Sequence, residues 1–185
     1  NSYCLQNIDF KSGDFVLDCG ANSGDLSIEL MRISPNINYV GIEPVPQDFK
    51  MLQKNVRNET ALLLNKALGN ADGQIKFYVC SEKGDSSIIQ PPSYTEIIDV
   101  NVIRLDTLVR EIKFERIKLL KIEAEGYEPE ILWGAKEILD QVEYVAVDGG
   151  YERGVDQQET FTTVTNFLLN NNFKLVDIYF PWCRA

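Results

Sequence analysis

The chain has 185 residues, of which 44% are hydrophobic and 25% are charged, a composition typical of one soluble globular domain. The 28 Asp and Glu residues outnumber the 18 Lys and Arg residues, and the formal net charge of −10 argues against nucleic acid or a membrane surface as partner. No apolar run approaches the roughly 18–20 residues of a membrane-spanning helix. Because the sequence contains no histidine, a proton acceptor must be Asp, Glu, Lys, Tyr or Cys.

The four cysteines, Cys4, Cys19, Cys80 and Cys183, are too widely scattered to form a metal-binding knuckle or a C-x-x-C pair. We therefore expect free thiols without a bound metal, as in a reducing, cytoplasmic compartment. The sequence leaves the oligomeric state open.

Short apolar segments alternate with segments of helical periodicity along most of the chain. Between residues 74 and 103 this alternation is interrupted by a polar–apolar pattern, which is typical of a half-exposed antiparallel strand. In chain order, the patterns predict a strand at 15–17, a helix at 24–34, a strand at 39–42, a helix at 46–56, a strand at 61–64, a helix at 107–113, a strand at 117–122, a helix at 129–140, a strand at 144–147, a helix at 159–170 and a strand at 174–180.

Strand–helix alternation with apolar strands predicts an α/β fold, in which a doubly wound, mostly parallel sheet carries helices on both faces. We expect a single domain over residues 1–185, with a small antiparallel excursion near 74–103. In such sheets ligands bind beyond the carboxyl ends of the strands, so the turns after the strands are the candidate site.

The first predicted strand ends in a glycine-containing turn that runs from Asp18 to Gly24. Gly20 permits a tight turn with close backbone approach, and Gly24 lets the next helix begin without a side chain in the way. A helix N-terminus here would offer free N–H groups to a phosphate or a carboxylate. Asn22 stands where the dinucleotide fingerprint G-x-G-x-x-G has its second glycine, and a plain glycine-containing loop is the alternative.

An acidic residue, Glu43, ends the second predicted strand, 25 positions after Asp18. A carboxylate at this place can accept hydrogen bonds from both ribose hydroxyls of an adenosine ligand. The alternative is a solvated glutamate in a loop.

Two carboxylates leave the strand predicted at 117–122, at Glu123 and Glu125. We expect both to project into the same crevice, whereas Glu128 and Glu130 complement the dipole of the following helix. Asp148, after the next strand, is a further candidate, although its segment could equally be a flexible turn. A divalent cation such as Mg²⁺, held by the carboxylate pair with Asp148, is an alternative that oxygen ligands permit.

Together these segments resemble the FkbM family of S-adenosylmethionine-dependent methyltransferases, whose fold is Rossmann-like. The resemblance runs in order from about residue 15 to residue 148. The segments that carry it are VLDCGANSG at 16–24 (VLDxGANxG in the family), GIEP at 41–44, NKALG at 65–69, SSI at 86–88, RLDTL at 104–108, KIEAEG at 121–126 (KIDVEG in the family) and ILWGA at 131–135.

The chain departs from the family pattern at three places. Glu123 stands where the family has Asp, and Asp148 stands where the family often has Glu. The antiparallel last strand of this fold is short, missing or supplied differently. The first two departures bear on the substrate pocket rather than on the cofactor.

The resemblance implies S-adenosyl-L-methionine as the cofactor. It implies that the backbone of the first turn holds the amino-acid end of the cofactor, that Glu43 binds the ribose, and that Lys66 and Ala67 flank the adenine. The predicted cofactor-binding residues are Asp18, Gly20, Ala21, Asn22, Gly24, Glu43, Lys66, Ala67, Ser86 and Ser87.

The resemblance also points to an oxygen acceptor, a hydroxyl or carboxyl of a sugar or secondary metabolite. A hydroxyl must lose its proton, so we expect Glu125 to act as general base and Glu123 to orient cofactor or acceptor. Two other functions stay open. One is a catalytically silent S-adenosylmethionine-binding or interaction module, which the change at Glu123 keeps possible. The other is a nicotinamide-dependent oxidoreductase, which Asn22 disfavours.

Overall fold

The computed structural model describes residues 3–34, 36–80, 86–114 and 116–178, which form two sheets and their connecting helices. In chain order the elements are β1 (Phe15–Cys19), α1 (Asp25–Ile33), β2 (Asn38–Ile42), α2 (Pro46–Asn55), β3 (Leu62–Leu64), β4 (Ala67–Leu68), β5 (Gly73–Val79), β6 (Glu96–Ile103), α3 (Leu105–Ile112), β7 (Ile117–Ile122), α4 (Glu128–Trp133), β8 (Val142–Val147) and α5 (Phe161–Asn170).

The main sheet has five parallel strands in the order β3-β2-β1-β7-β8. The strand order reverses beside β1, which lies between β2 and β7. In this register Asp18 of β1 is opposite Gly41 of β2 and Lys121 of β7. The carboxyl ends of the three central strands therefore meet at one edge, which is where open parallel sheets bind their ligands.

Both faces of this sheet are covered by helices. Alternate residues of each strand point to opposite sides, and the apolar side chains on both sides pack against helices. Val16 and Leu119 pack on one side with the buried residues of α1 and α2. Leu17 and Leu120 pack on the other side with those of α3, α4 and α5. The predicted doubly wound α/β architecture is confirmed.

The antiparallel excursion predicted near 74–103 is also confirmed. β5 pairs with β6 antiparallel over the whole length of β5, from Gly73 opposite Val102 to Val79 opposite Glu96. The short strand β4 adds to β6 in parallel and completes a three-stranded sheet. Along the chain, the strands of this second sheet lie between β3 and α3. Ala67 of β4 lines the candidate site described below.

The helix predicted at 129–140 is shorter than expected. α4 ends at Trp133, and a 3₁₀ turn at Leu139–Gln141 precedes β8. The carbonyl of Gly134 accepts the N–H of Asp106, and the N–H of Glu137 is donated to the carboxylate of Asp106. Because these backbone groups are bonded to the start of α3, they cannot continue the hydrogen-bond ladder of α4.

The strand predicted at 174–180 is wrong for the part that can be compared, since residues 174–178 form no strand; residues 179–180 lie outside the described part. Among the described residues β8 pairs only with β7, and a large cavity is lined by both β8 and residues 174–178. In the described part of the chain no strand pairs with residues 174–178. Within the described ranges, no helix is both long and apolar enough to span a membrane.

Leu120 is fully buried in β7, at the centre of the main sheet. We expect Leu120→Ala to lower the free energy of unfolding by about 2–5 kcal/mol, because it leaves a cavity among packed side chains. Leu62→Ala is the matched control in edge strand β3, where the side chain is more than one third exposed and the loss should stay below about 1 kcal/mol. Urea denaturation of both variants measures the difference, and equal losses would contradict this account of the core.

Candidate functional site

An open cleft lies at the carboxyl ends of β1, β2 and β7, where the sequence places the candidate site. It brings together eight of the predicted residues from distant parts of the chain. These are Gly20, Asn22, Glu43, Lys66, Ala67, Ser86, Glu123 and Glu125. The cleft wall also includes the aromatic side chains of Phe77 and Tyr127, which the sequence did not single out.

Four predicted cofactor-binding residues do not line this cleft. Asp18 and Ala21 are buried behind it. Gly24 lies against α2, where an added Cβ would come 3.0 Å from a methyl carbon of Leu52. Ser87 is buried, and its hydroxyl donates to the carbonyl of Ala124, 3.4 Å away. These four residues shape the cleft from behind.

Gly20 allows the loops after β1 and β7 to approach each other closely. Its φ of +75° is left-handed, and an added Cβ would lie only 2.0 Å from the carbonyl oxygen of Glu123. Three N–H groups of this turn are bonded within the protein, because Gly20 and Ala21 donate to the carbonyl of Ile42 and Asn22 donates to Glu43. These three residues therefore contribute shape to the cleft rather than open donors.

Glu43 is held rigidly at the end of β2. Its Oε1 accepts the N–H of Val45 at 2.8 Å, and its Oε2 accepts the N–H of Asn22 at 2.9 Å. Burial raises the pKa of Glu43 to about 7, against the opposing effect of these two N–H groups. Because each carboxylate oxygen can accept a second hydrogen bond, Glu43 can still bind a pair of hydroxyl groups in the cleft.

A buried ammonium group, that of Lys121, lies beneath the cleft and was missed by the sequence analysis. Its Nζ is 3.0 Å from Asp18 Oδ1 and 2.9 Å from Glu123 Oε2, and it donates to the carbonyl of Gly20 at 2.7 Å. The hydroxyl of Tyr39 donates to the other oxygen of Asp18. Burial alone would lower the pKa of Lys121, but the two carboxylates outweigh it and raise the pKa. Only the sheet register, which places Lys121 opposite Asp18, reveals this pair.

Oε2 of Glu123, which contacts Lys121, also accepts a hydrogen bond from the hydroxyl of Tyr3. Burial would raise the pKa of Glu123, but Lys121 and the hydrogen bond from Tyr3 hold it below its ordinary value. Among the hydrogen bonds of the described chain, none involves Glu123 Oε1, and the side chain is about one third exposed. Glu123 therefore presents an ionised carboxylate to the cleft.

Glu125 lines the cleft from a left-handed position, with φ +49°. The loop that carries it is fixed by Glu128, whose Oε1 accepts the N–H groups of Ala124 and Gly126 at 2.9 and 3.1 Å. The expectation that Glu128 serves only the helix dipole is therefore too narrow, because this buried carboxylate holds the site loop in place.

Arg153 fixes the same loop from the segment after β8. It forms two hydrogen bonds with the carboxylate of Glu130, at 2.9 and 2.6 Å, and donates to the carbonyl of Gly126 at 2.6 Å. Glu130 is thus a buried carboxylate paired with the partly exposed Arg153, not only a complement to the helix dipole.

The cleft wall is acidic. Of the described residues that line it, Glu43, Asp48, Glu123 and Glu125 carry carboxylates and Lys66 carries an ammonium group. Among those residues no group of three or more His, Cys, Asp or Glu side chains is arranged to hold a metal ion. Such a wall attracts a cationic ligand and opposes a phosphorylated one.

Asp148 lies next to Glu123 at the ends of the neighbouring strands β7 and β8. Its N–H is donated to the carbonyl of Ile122 at 3.0 Å. Burial, and secondarily the charge of Glu123, raise the pKa of Asp148. Asp148 lines a second cavity of about 1590 Å³ that runs along β8, and Glu123 borders both this cavity and the cleft.

The family model and the relatives that this chain matches are methyltransferases. The model of the family described as "Methyltransferase FkbM domain" matches residues 18–175. The chain is similar to the methyltransferase sdnD of Sordaria araneosa, with 27% identity over 73% of this chain and 65% of that protein. It is also similar to the 2-O-methyltransferase NoeI of Sinorhizobium fredii, with 24% identity over 73% of this chain and 63% of that protein. The chain thus spans slightly less than two thirds of the length of these relatives.

A solved structure has a similar fold. The precorrin-6y C5,15-methyltransferase of Geobacter metallireducens superposes with a TM-score of 0.55 and 13% sequence identity, over 92% of this chain and 69% of that one. At this identity the likeness concerns the fold alone.

The raised pKa of Glu43 predicts a specific pH dependence of stability. Between its ordinary value of 4.5 and about 7, the folded chain keeps the Glu43 proton that the unfolded chain releases. The free energy of unfolding should therefore fall as pH rises through this interval, by up to about 3 kcal/mol relative to Glu43→Gln. Urea denaturation across the interval measures this difference. Glu59→Gln, at an exposed position, should follow the wild type, and parallel curves for wild type and Glu43→Gln would contradict the prediction.

Proposed function

Since the chain belongs to the FkbM methyltransferase family, we propose that it is an S-adenosylmethionine-dependent O-methyltransferase. The proposed acceptor is a hydroxyl or carboxyl oxygen of a small molecule, such as a sugar or secondary metabolite. The observation that carries the proposal is the acidic cleft at the switch point of the sheet, with Glu43 rigidly held in its wall.

The charge of the cleft favours a sulfonium cofactor over a dinucleotide. A nicotinamide dinucleotide brings two phosphate charges, which need open N–H donors or cationic side chains. In the described part of the site, the N–H groups of Gly20, Ala21 and Asn22 are already bonded within the protein, and carboxylates outnumber the single lysine of the wall. A ligand with a positive sulfonium and an uncharged adenosine suits these residues better.

The residues present fit such a cofactor. Glu43 would accept the ribose hydroxyls, Gly20 and Asn22 would border the amino-acid end, and Lys66 with Ala67 would flank the adenine. Ser86 lines the same wall, whereas Asp18, Ala21, Gly24 and Ser87 support it from behind. When bound, S-adenosylmethionine supplies an electrophilic methyl group, so much of the catalysis falls to positioning.

We propose different roles for the two carboxylates of the site loop. We assign Glu125 as the general base that takes the proton of the acceptor hydroxyl. Glu123 is a poor choice for the base, because Lys121 and Tyr3 hold its pKa below the ordinary value. We assign it to orienting the cofactor or the acceptor by its fixed negative charge.

An oxygen acceptor is supported by a relative's name, since NoeI is a 2-O-methyltransferase. It is also supported by the carboxylate at Glu125, because a hydroxyl must be deprotonated whereas a thioether or a neutral amine need not be.

Calorimetric titration with S-adenosylmethionine, S-adenosylhomocysteine and NAD tests the cofactor. The wild type should bind both sulfur ligands and not NAD. Glu43→Ala should weaken their binding by about 10- to 100-fold, because two hydrogen bonds to the ribose are lost. Glu59→Ala is the control outside the cleft and should bind as the wild type does. Binding of NAD alone would favour the oxidoreductase, and binding of none of the three would contradict the proposal.

Glu125→Gln tests the base. With labelled S-adenosylmethionine and a panel of glycosides and hydroxylated metabolites, the rate of methyl transfer should fall by about 10²- to 10⁴-fold, while cofactor affinity changes less than about twofold. Glu96→Gln, on exposed β6, is the control. An unchanged rate of methyl transfer in Glu125→Gln would contradict the assignment of Glu125 as the general base. Tight cofactor binding by a wild type that methylates no acceptor of the panel would support the silent binding module.

A further inference from the structure

Tyr3 reaches the candidate site from the opposite end of the chain. The segment that carries it is anchored under the main sheet by Leu5 and Phe10, which are buried with α1 and α2. The hydroxyl of Tyr3 donates to Glu123 Oε2, and the centroid of the Tyr3 ring lies 5.3 Å from the Nζ of Lys121. Burial, the first of several causes, raises the pKa of Tyr3, so this hydroxyl stays a neutral donor.

Two donors therefore converge on one oxygen of Glu123. The ammonium of Lys121 approaches Oε2 from within β7, and the Tyr3 hydroxyl approaches it from the N-terminal segment. A carboxylate held at one oxygen by two donors has a fixed orientation. Its other oxygen, Oε1, has no such partner in the described chain, and Glu123 borders the cleft.

We propose that Tyr3 is a positioning residue for Glu123: with Lys121 it holds the carboxylate as an anion at the cleft wall, where Glu123 recognises the positive charge of a sulfonium ligand. The proposal rests on the cofactor proposed above. It adds Tyr3 as the residue through which the site selects a cationic over a neutral ligand. Tyr3 does not touch the reacting atoms; it acts through Glu123.

The charged groups around Glu123 determine how this selectivity depends on pH. Lys121 and Tyr3 contact it directly, Asp18 lies on the far side of Lys121, and Asp148 faces it from the end of β8. Removing the Tyr3 hydroxyl removes a donor to the ionised form, which raises the pKa of Glu123. The carboxylate would then be protonated at a higher pH and would lose its attraction for a cation.

The experiment compares the dissociation constants of S-adenosylmethionine, a cation at sulfur, and S-adenosylhomocysteine, which is neutral there. Their ratio cancels the contacts that both ligands share. In the wild type Glu123 is ionised at about pH 5 and at about pH 8, so a change of the ratio between these pH values reports the carboxylates whose pKa values are raised, Asp148 and Glu43. In Tyr3→Phe the preference for the sulfonium should fall about two- to fivefold more at about pH 5 than it does in the wild type, while the two proteins agree at about pH 8.

Glu123→Gln keeps the shape of the side chain and removes its charge, so the preference should fall about tenfold at both pH values. Adding Tyr3→Phe to Glu123→Gln should have no further effect on the ratio. This double variant shows whether Tyr3 acts through Glu123 or through Asp148. Tyr94→Phe is the matched control, since Tyr94 packs against Tyr78 of β5 and lines neither the cleft nor the second cavity.

Three results would overturn the proposal while leaving the cofactor assignment intact. These are an unchanged ratio in Glu123→Gln, a ratio in Tyr3→Phe that behaves as in the wild type, and an effect of Tyr3→Phe that persists with Gln at position 123. Binding of neither ligand by the wild type would instead defeat the proposed function, and this proposal with it.

Discussion

Lys121 places an ammonium group that is almost inaccessible to water between the buried carboxylate of Asp18 and the partly exposed carboxylate of Glu123, at 3.0 and 2.9 Å. An unpaired charge at the depth of Lys121 or Asp18 would cost several kcal/mol, so these two groups require each other. Because Asp18 is the last but one residue of β1 and Glu123 follows β7, the pairing also fixes how the two central strands end. The geometry of the cleft depends on this arrangement of charges.

The backbone around the charges is held by a different set of contacts. Gly20 lets the loop after β1 touch the carbonyl of Glu123, where any side chain would collide. Glu128 binds two N–H groups of the loop after β7, and Arg153 binds its last carbonyl. The carboxylates at 123 and 125 therefore stand on a loop that is fixed from both sides, which is what positioning catalysis requires.

The distribution of charge in the cleft also distinguishes a sulfonium cofactor from a dinucleotide. In the turn after β1 the N–H groups of Gly20, Ala21 and Asn22 are bonded to Ile42 and Glu43, so these three are not open donors for a pyrophosphate. The cleft wall is acidic instead, and a buried lysine keeps Glu123 ionised without neutralising the whole wall. A sulfonium cofactor suits these charges, and the family to which the chain belongs consists of methyltransferases.

Local pattern was enough to predict the alternation of strands and helices, the antiparallel excursion and the acidic residues at strand ends, because apolar periodicity and turn residues act over a few positions. It placed Glu43 and Glu123 at the same edge, since parallel strands end together. It failed at residues 134–137, where backbone bonds to Asp106 end α4 early, and at residues 174–178, which face a cavity instead of a neighbouring strand. Both outcomes depend on partners distant in the chain.

The roles of individual side chains in the site were decided by tertiary structure. Tyr3 and Glu123 are 120 positions apart, and no local pattern joins them. Lys121 resembles any polar residue in a strand until the register sets it opposite Asp18. The sequence by itself determined the fold class and which residues end the strands, whereas only the folded chain determined which carboxylate is held ionised and which loop donors remain open. The reason is that pKa values and hydrogen bonding depend on burial and on neighbours in space.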